Sequence, residues 1–414
     1  EAAWLAEVRD LEGDGSRENL RTYLADGPLA QVAPDRVTVD ESSEVAAAAD
    51  CVAEARANVE SAMSAITPVL PTVPVDHTVN AGKSLWYISG TFRDERSKQV
   101  AAAFEEAATS SGLDVRVLDG QGSVEEWAKL VDEAVAAGAD GIHLAGIDPS
   151  LIAASVEEAD EAGVPVTLTS ALPSPYSELL HGVEINVSGD MAADMRVMID
   201  YILAESDCQG TIIMFATSLF SLGVAGVESA HEQLALRCPD TCTLIVEEVD
   251  FANLTASLPP QTSAAALRNP EATWMIGEFD VLTILMLQGL DDADLADKIK
   301  VVSHDGAFAN LELLRAGNSP QEMVMAWSPA PIQGWRAMDA MHRAMAGMEI
   351  DMTGAGLPSQ LFVSDNLAGT NEFGDLFPGM VGFENEYLSL WGITPEVAAA
   401  ADCVAEARAN VESA

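Results

Sequence analysis

The stretch that most constrains the fold is residues 140–170, which read DGIHLAGIDPSLIAASVEEADEAGVPVTLTS. Short apolar runs at both ends are typical of strands buried on both faces. Between them, Asp148 predicts a helix N-cap, Pro149 suits the first helical position and Gly163 suits the end of the helix. Two strands joined by a helix form a right-handed parallel βαβ unit. Such sheets bind ligands at the carboxyl ends of their strands.

The same alternation of strand and helix occurs on both sides of this stretch. Strand patterns at 85–89 and 114–118 precede it, each followed by a helical pattern. The alternation restarts at residue 211 and continues to residue 363. A Pro-rich segment, TPVLPTVPV at 67–75, predicts an extended linker before the first strand. The fold class is therefore α/β, with two doubly wound parallel-sheet lobes and a cleft between them.

The composition is strongly acidic, with 66 Asp and Glu against 20 Lys and Arg and a net charge of -46. This charge argues against nucleic acid and against an anionic membrane as partners. A solvated surface suited to high salt is the simpler interpretation, and a calcium-loaded surface is the alternative, although no EF-hand loop is present. We see no signal peptide and no initiator Met at Glu1, so we expect a mature or trimmed form. No metal site or cofactor is predicted.

Five cysteines are present, at positions 51, 208, 238, 242 and 403. Cys238 and Cys242 flank a tight turn, and without a nearby His pair they do not make a zinc site. A local disulfide between them, or one from Cys208 to either, is compatible with a location outside the cytoplasm. Inert buried thiols are the alternative.

Residues 44–62 and 396–414 are identical, and both read EVAAAADCVAEARANVESA. Their composition predicts a helix in each copy. A recent duplication, a tandem array and an artefact of sequence assembly all explain the identity. Because Cys51 and Cys403 occupy the same place in the two copies, a disulfide between copies and self-association through them are conceivable. The acidic N-terminal extension, residues 1–43, carries no recognisable chemistry.

Several segments resemble, in the same order, the type 1 periplasmic sugar-binding proteins, which are the ribose-binding-like solute receptors of ABC transporters. They are WYISGTFRDERSKQVAAAFEEAA, ADGIHLAGIDPSLIAASVEEADEAGVPV, KVVSHDGAFANLELLRAG, AWSPAPIQGWRAMDAM and LFVSDNL. The resemblance covers residues 83–391. LacI-type repressors share these lobes, but no helix-turn-helix segment precedes them here.

The resemblance implies two lobes joined by three hinge strands that close on a small ligand. One lobe would comprise 84–185 and 329–360, and the other 186–328 and 361–392. The crossings would lie near 183–186, 327–328 and 361–364. Residues 44–82 would form a helix and the Pro-rich linker, and 396–414 a C-terminal helix.

A sugar requires planar hydrogen-bonding side chains and aromatic rings. The candidates at strand ends are Phe92, Arg93, Asp94, Asp148, Ser170, Asn186, Ser218, Phe220, Glu278, Asp280, Asp305 and Trp327. Asp305 keeps the family's Asp-Gly pair. Ser170 replaces a usual Asp, and Glu278 stands where the family often has Asn. Trp327 replaces a frequent Gln, and it either stacks on a sugar ring or packs the hinge.

We therefore predict an extracytoplasmic solute-binding protein that captures a small polar ligand, with a sugar as the expected class, and delivers it to an ABC permease. A carboxylate pair such as Glu278 with Asp280 or Asp305 would suit a glycosidase, but nothing in the spacing sets up an acid and a base. No enzyme activity is predicted. The alternative from another class is a structural or assembly protein that reuses the receptor fold and joins neighbours through the duplicated helices.

Overall fold

A computed structural model describes residues 41–67, 69–367, 377 and 381–394 of the chain. All contacts given below lie within the compact unit that begins at Ala49. The N-terminal extension at 1–40, the predicted C-terminal helix at 396–414 and Cys403 lie outside the described residues. None of the described helices is long and apolar enough to cross a membrane.

The first lobe is built on a five-stranded parallel sheet with the spatial order β2-β1-β3-β4-β5. Its strands are β1 (Ser84–Ser89), β2 (Asp114–Asp119), β3 (Gly141–Ala145), β4 (Val166–Thr169) and β5 (Val183–Val187). Its helices are α2 (Glu95–Ser110), α3 (Val124–Ala136) and α4 (Ala153–Glu161). The predicted cap at Asp148 is confirmed, because its carboxylate accepts a hydrogen bond from the Ser150 amide at 2.8 Å and begins a short 3₁₀ helix.

The second lobe repeats this strand order in a six-stranded sheet, β11-β10-β9-β8-β6-β7. Its strands are β6 (Gly210–Ala216), β7 (Cys242–Glu248), β8 (Ala272–Gly277), β9 (Lys300–Asp305), β10 (Gln321–Trp327) and β11 (Ser359–Phe362). Its helices are α5 (Met191–Glu205), α6 (Ser221–Arg237), α7 (Leu254–Arg268), α8 (Asp280–Asp292), α9 (Phe308–Ala316) and the short α11 (Ser364–Leu367). Only β11 runs antiparallel to its neighbour. The expected α/β class with two parallel-sheet lobes is confirmed.

The chain crosses between the sheets three times, and backbone hydrogen bonds connect the crossings. The Ser188 amide donates to the Ala355 carbonyl at 3.0 Å, and the Ser328 amide donates to the Pro358 carbonyl at 2.8 Å. The first and third crossings lie a few residues from the positions expected at 183–186 and 361–364. The reason is that β5 pairs with β4 as far as Val187 and that β11 already pairs with β10 from Ser359.

Two helices complete the first lobe. Helix α10 (Ala330–Met345) packs along α2, and helix α12 (Phe383–Leu390) packs on α10. The Trp335 and Trp391 rings stack with centroids 5.5 Å apart. The sequence placed 361–392 in the second lobe, whereas this aromatic packing holds the end of that segment on the first.

Helix α7, at Leu254–Arg268, runs through two consecutive prolines. Pro259 and Pro260 lie inside it, although proline removes a backbone donor and normally breaks a helix. Gly289 of α8 allows α7 to approach closely, since a Cβ there would lie 2.3 Å from the Pro259 carbonyl. Tertiary packing thus outweighs the local propensity at this point.

Two disulfides connect four of the five cysteines. Cys238 pairs with Cys242, which is one of the pairings anticipated. Cys51 pairs with Cys208, so neither a Cys51–Cys403 bond nor a bond from Cys208 into the CPDTC turn is present. Helix α1 (Glu41–Ala62) brings Cys51 against α5 and α6, where Ala55 and Val59 are buried in the second lobe's core. This placement, absent from the sequence-based expectation, explains the pairing.

Candidate functional site

A cleft lies between the carboxyl ends of the two sheets, where the topology predicts a ligand site. It contains about 710 Å³ of space that protein atoms do not fill, including solvent at its mouth. Five aromatic rings contribute to its walls: Tyr87, Phe220, Phe251, Phe279 and Trp327. The charged side chains lining it are Asp94, Arg96 and Asp305. Apolar walls with a few converging polar groups are typical of a small-molecule site.

The structure brings five predicted residues into this cleft: Asp94, Ser170, Phe220, Asp305 and Trp327. Phe92, Arg93 and Asp280 instead line an adjoining, more open pocket that shares Asp94 and Asp305 with the cleft. Ser170 and Asp305 have φ angles of 47° and 125°. Non-glycine residues held in such conformations cluster at functional sites, because the surrounding structure must maintain the strain.

Four predicted residues do not line either pocket, and each has a structural role. Asp148 caps its helix, and the Asn186 amide binds the Leu172 and Ser174 carbonyls inside the first lobe. Ser218 donates to Glu248 at 2.8 Å on the exposed surface. Glu278 is fully buried and accepts a hydrogen bond from the Thr217 amide at 2.9 Å. All four lie at or just after strand ends in the sequence, but none of them lines the cavity.

Arg96 is the main polar residue that the sequence analysis missed. Its guanidinium donates to the Ser328 carbonyl and the Gln333 side chain, both at 3.0 Å, and to the Asp305 carbonyl at 3.3 Å. It also lies 5.4 Å from the centroid of the Trp327 ring, a cation–π distance. Gln333 in turn donates to the Ser170 hydroxyl at 2.7 Å. Arg96, from the first lobe, therefore connects the hinge to the second lobe.

Two buried donors in the cleft lack a hydrogen bond of normal geometry to the protein. The Tyr87 hydroxyl and the Arg96 Nε are both inaccessible to water, and the Tyr87 hydroxyl has only the Thr169 side chain near it. Tyr87 is 0% exposed, and burial raises the pKa of its phenol, so the hydroxyl stays protonated and able to donate. Leaving such a donor unpaired costs about 1–3 kcal/mol. Both atoms therefore suit a bound ligand that supplies acceptors.

Asp305 contacts a network of buried charged side chains. His304 Nδ1 lies 3.4 Å from the Asp305 carboxylate, and its Nε2 lies 3.0 Å from Asp194. Burial lowers the pKa of His304, but the hydrogen bonds and charges of the two aspartates outweigh it and raise that pKa to about 9. Asp194 also accepts from the Trp327 indole and, at 2.9 Å, from the Ser359 hydroxyl. The network links the cleft to the second and third crossings.

Glu278 and Asp280 lack the arrangement of a catalytic pair. Burial raises the pKa of both carboxyl groups to about 8, with Asp305 adding repulsion at Asp280. Asp280 is 1% exposed and accepts hydrogen bonds from the Ser303 hydroxyl and the Ala307 amide, so its oxygens are occupied by protein donors. Among the described residues, no group of three His, Cys, Asp or Glu could hold a metal ion.

The two lobes contact each other across the cleft. Arg93 of the first lobe donates to the Phe251 carbonyl of the second, and Ser221 of the second donates to Asp148 of the first. Leu219 and Phe220 pack against the apolar cores of both lobes. These contacts define a closed arrangement, in which a ligand would be enclosed.

The family model described as "Periplasmic binding protein domain" matches residues 84–349. This range is well over half of the chain, and the chain belongs to the periplasmic binding protein family. It is therefore a solute-binding protein rather than an enzyme, and its partners are a small-molecule ligand and a transporter. The family works outside the cytoplasm, where disulfides persist. No curated protein sequence matches the chain.

Solved structures share the fold at low sequence identity. A sugar ABC transporter structure from Yersinia enterocolitica subsp. enterocolitica 8081 aligns with TM-score 0.68 and 16% identity, over 80% of this chain and 100% of that one. A 5-methylthioribose transporter solute-binding protein from Thermotoga lettingae TMO, in complex with 5-methylthioribose, aligns with TM-score 0.65 and 14% identity over 80% and 99%. A solute-binding protein from Agrobacterium vitis with bound α-D-tagatopyranose gives 0.62 and 16% over 69% and 96%.

Proposed function

We propose that this protein captures a small neutral sugar or polyol in the interlobe cleft and delivers it to an ABC permease. The observation that carries the proposal is the aromatic-walled cleft, lined also by the Asp305 carboxylate, with two buried donors, Tyr87 Oη and Arg96 Nε, that lack a protein hydrogen bond of normal geometry. A sugar hydroxyl accepts from such donors and donates to a carboxylate, while its C–H faces pack on aromatic rings. The similar structures bound to sugars support the same ligand class.

The charges favour a neutral ligand over an acidic one. Two carboxylates, Asp94 and Asp305, and one guanidinium, Arg96, line the cleft. The guanidinium already donates to two carbonyls and an amide oxygen, so few of its donors remain free for an anion. A sugar acid or sugar phosphate would therefore meet uncompensated repulsion in a buried site, which selects against it.

The lobe assignment is part of the proposal. Asp94, Arg96 and Ser170 would hold the ligand from the first lobe, and Phe220, Asp305 and Trp327 from the second. Phe92, Arg93 and Asp280 would line the entrance to the site. The ligand would stabilise the closed arrangement because only that arrangement supplies both sets of contacts.

A thermal-shift screen tests this proposal directly. The panel contains pentoses, hexoses, 6-deoxyhexoses and polyols, with sugar acids, sugar phosphates and amino acids for comparison. A ligand at 100 times its Kd adds about 2.7 kcal/mol of stability, which shifts Tm by several degrees. We expect a shift with a neutral sugar or polyol, and calorimetry should show its loss in Asp305→Ala but not in Asp132→Ala, a surface control.

Shifts confined to acids or amino acids would contradict the proposed ligand class. Binding that survives Asp305→Ala unchanged would show that the ligand sits elsewhere. Both results are distinguishable from failed folding, because the thermal transition of the unliganded variant is recorded in the same experiment.

A further inference from the structure

The first copy of the duplicated sequence docks on the second lobe through specific side-chain contacts. In that copy, Cys51, Ala55 and Val59 are 7%, 0% and 9% exposed and pack into the second lobe's core. Cys51 is bonded to Cys208. The Asn58 amide donates to the buried Asp200 carboxylate at 2.6 Å, and Glu54 pairs with Arg237.

Every residue that makes these contacts occurs again in the second copy at the same spacing. The equivalents are Cys403, Glu406, Ala407, Asn410 and Val411. Because the two sequences are identical, the groove that binds the first copy offers the same contacts to the second. The two disulfides use four of the five cysteines, and Cys403 is the one that remains.

We infer that residues 396–414 of one molecule bind the α1 groove on the second lobe of a second copy of this chain, with Cys403 taking the place of Cys51 beside Cys208. Repeated in one direction, this contact is heterologous and generates open-ended chains of molecules.

A second copy, rather than the same molecule, is favoured by where the chain leaves the fold. Ile393 is buried in the cluster that contains Phe362 of β11, and only Thr394 and Pro395 precede the repeat. Gln360 of β11 donates to the Met63 carbonyl, so the carboxyl end of α1 lies beside β11. The position of Cys51 is 12 residues away, about 18 Å along the helix. The repeat must enter the groove from that far end. A connection of two residues favours entry into the groove of a neighbouring molecule over entry into the groove of the same molecule.

The covalent step needs no external oxidant. The Cys403 thiolate attacks the Cys208 sulfur, the Cys208–Cys403 bond forms, the Cys51–Cys208 bond breaks, and Cys51 leaves as a thiolate that takes up a proton. Because Cys51 and Cys208 are 7% and 4% exposed, helix α1 must undock before the attack. The net charge of -46 opposes association of two copies, so high salt should promote the exchange.

The test uses the full chain carrying Cys51→Ser. This change leaves Cys208 without its disulfide partner and keeps both copies of the repeat. Equal amounts of ¹⁴N- and ¹⁵N-labelled protein are incubated with oxidised and reduced glutathione, in which oxidised glutathione accepts the two electrons. Trypsin places Cys51 in residues 37–56 and Cys403 in residues 344–408, so the two copies give different peptides in mass spectrometry. We expect mixed-isotope Cys208–Cys403 peptides and covalent multimers on non-reducing gels, with more at 1 M than at 0.05 M NaCl.

Two matched variants separate the proposal from random oxidation. Cys51→Ser with Cys403→Ser should lose the cross-link entirely. Cys51→Ser with Ala407→Asp should reduce it at least about tenfold, because the charge would have to enter the apolar place that Ala55 fills. The thermal transition of each variant is recorded to confirm that the lobes remain intact. A cross-link found only within single-isotope peptides, or one unaffected by Ala407→Asp, overturns the proposal, as does its absence from folded Cys51→Ser protein.

Discussion

The Nε2 atom of His304 lies 3.0 Å from the Oδ2 atom of Asp194, and both side chains are buried beneath the cleft. Asp194 binds side chains from the second and third crossings, and the other ring nitrogen of His304 faces Asp305. One imidazolium thus faces two carboxylates, Asp194, which binds the hinge, and Asp305 at the proposed ligand site.

This pair predicts a loss of stability at alkaline pH. The pKa of His304 is raised to about 9 from a usual 6.5, so its contribution is complete below pH 6.5 and is lost as the pH rises through 9. The shift corresponds to roughly 3 kcal/mol. Urea unfolding from pH 6 to 10 should show a steeper decline in the wild type than in His304→Gln. His181→Gln, at an exposed site, should follow the wild type; equal slopes in all three proteins would contradict the charge network.

Replacing Glu278 should stabilise the protein at alkaline pH. Its pKa is raised to about 8 from 4.5 by burial, so the unfolded chain releases the proton first and stability falls between about pH 4.5 and 8. Glu278→Gln retains an acceptor for the Thr217 amide and removes this loss. We expect the variant to exceed the wild type by roughly 4 kcal/mol at pH 8 and to match it near pH 4.5. Glu271→Gln, on the surface, should change little at either pH, and a pH-independent difference for Glu278→Gln would rule out the titration.

The unpaired Tyr87 hydroxyl predicts an effect on binding without an effect on folding. Tyr87→Phe should weaken the best ligand from the screen about tenfold, because a buried hydrogen bond to the ligand is lost. Its unfolding free energy should stay within about 0.5 kcal/mol of the wild type, because no protein hydrogen bond of normal geometry is removed. Tyr201→Phe is the matched control: its hydroxyl donates to the Glu322 carbonyl at 3.3 Å, so it should lose stability but not affinity. Unchanged affinity in Tyr87→Phe would remove the hydroxyl from the site.

The Ser221–Asp148 contact predicts an effect on closure. Ser221→Ala removes a hydrogen bond between the lobes and leaves the Asp148 cap intact. We expect about two- to fivefold weaker ligand binding, because the closed arrangement loses part of its stability. Small-angle scattering should show a larger radius of gyration at subsaturating ligand. Ser218→Ala, which loses a bond within the second lobe, should bind as the wild type does; identical scattering and affinity for the two variants would argue against a closing role.

Periodicity and capping were sufficient to predict most of the fold. Alternating apolar runs and helical patterns indicated both sheets, and the cap at Asp148 lies where the sequence placed a helix start. These features are local, because a strand or a cap depends on residues a few positions apart. Their order along the chain, together with the parallel strands, was enough for the two-lobe architecture.

The site was only partly predictable. Asp305 and Trp327 end strands that meet at the cleft, and Phe251 and Phe279 follow strands that end at the same edge. No signal marked Tyr87, which lies within a strand, or Arg96 and Gln333, which lie on helices. Conversely, Asn186 and Glu278 had the expected position but face inward. Strand position tells which edge a residue approaches, whereas side-chain direction depends on packing against the other lobe.

By itself, the sequence determined the α/β class, the two lobes, the acidic surface and the identity of the two terminal repeats. The tertiary structure alone decided that Cys51 pairs with Cys208, that α12 returns to the first lobe, and that Arg96 bridges the cleft. Each of these depends on contacts between residues more than 50 positions apart, and such contacts leave no periodic trace. Local patterns specify elements, but burial across the whole molecule selects which distant groups meet.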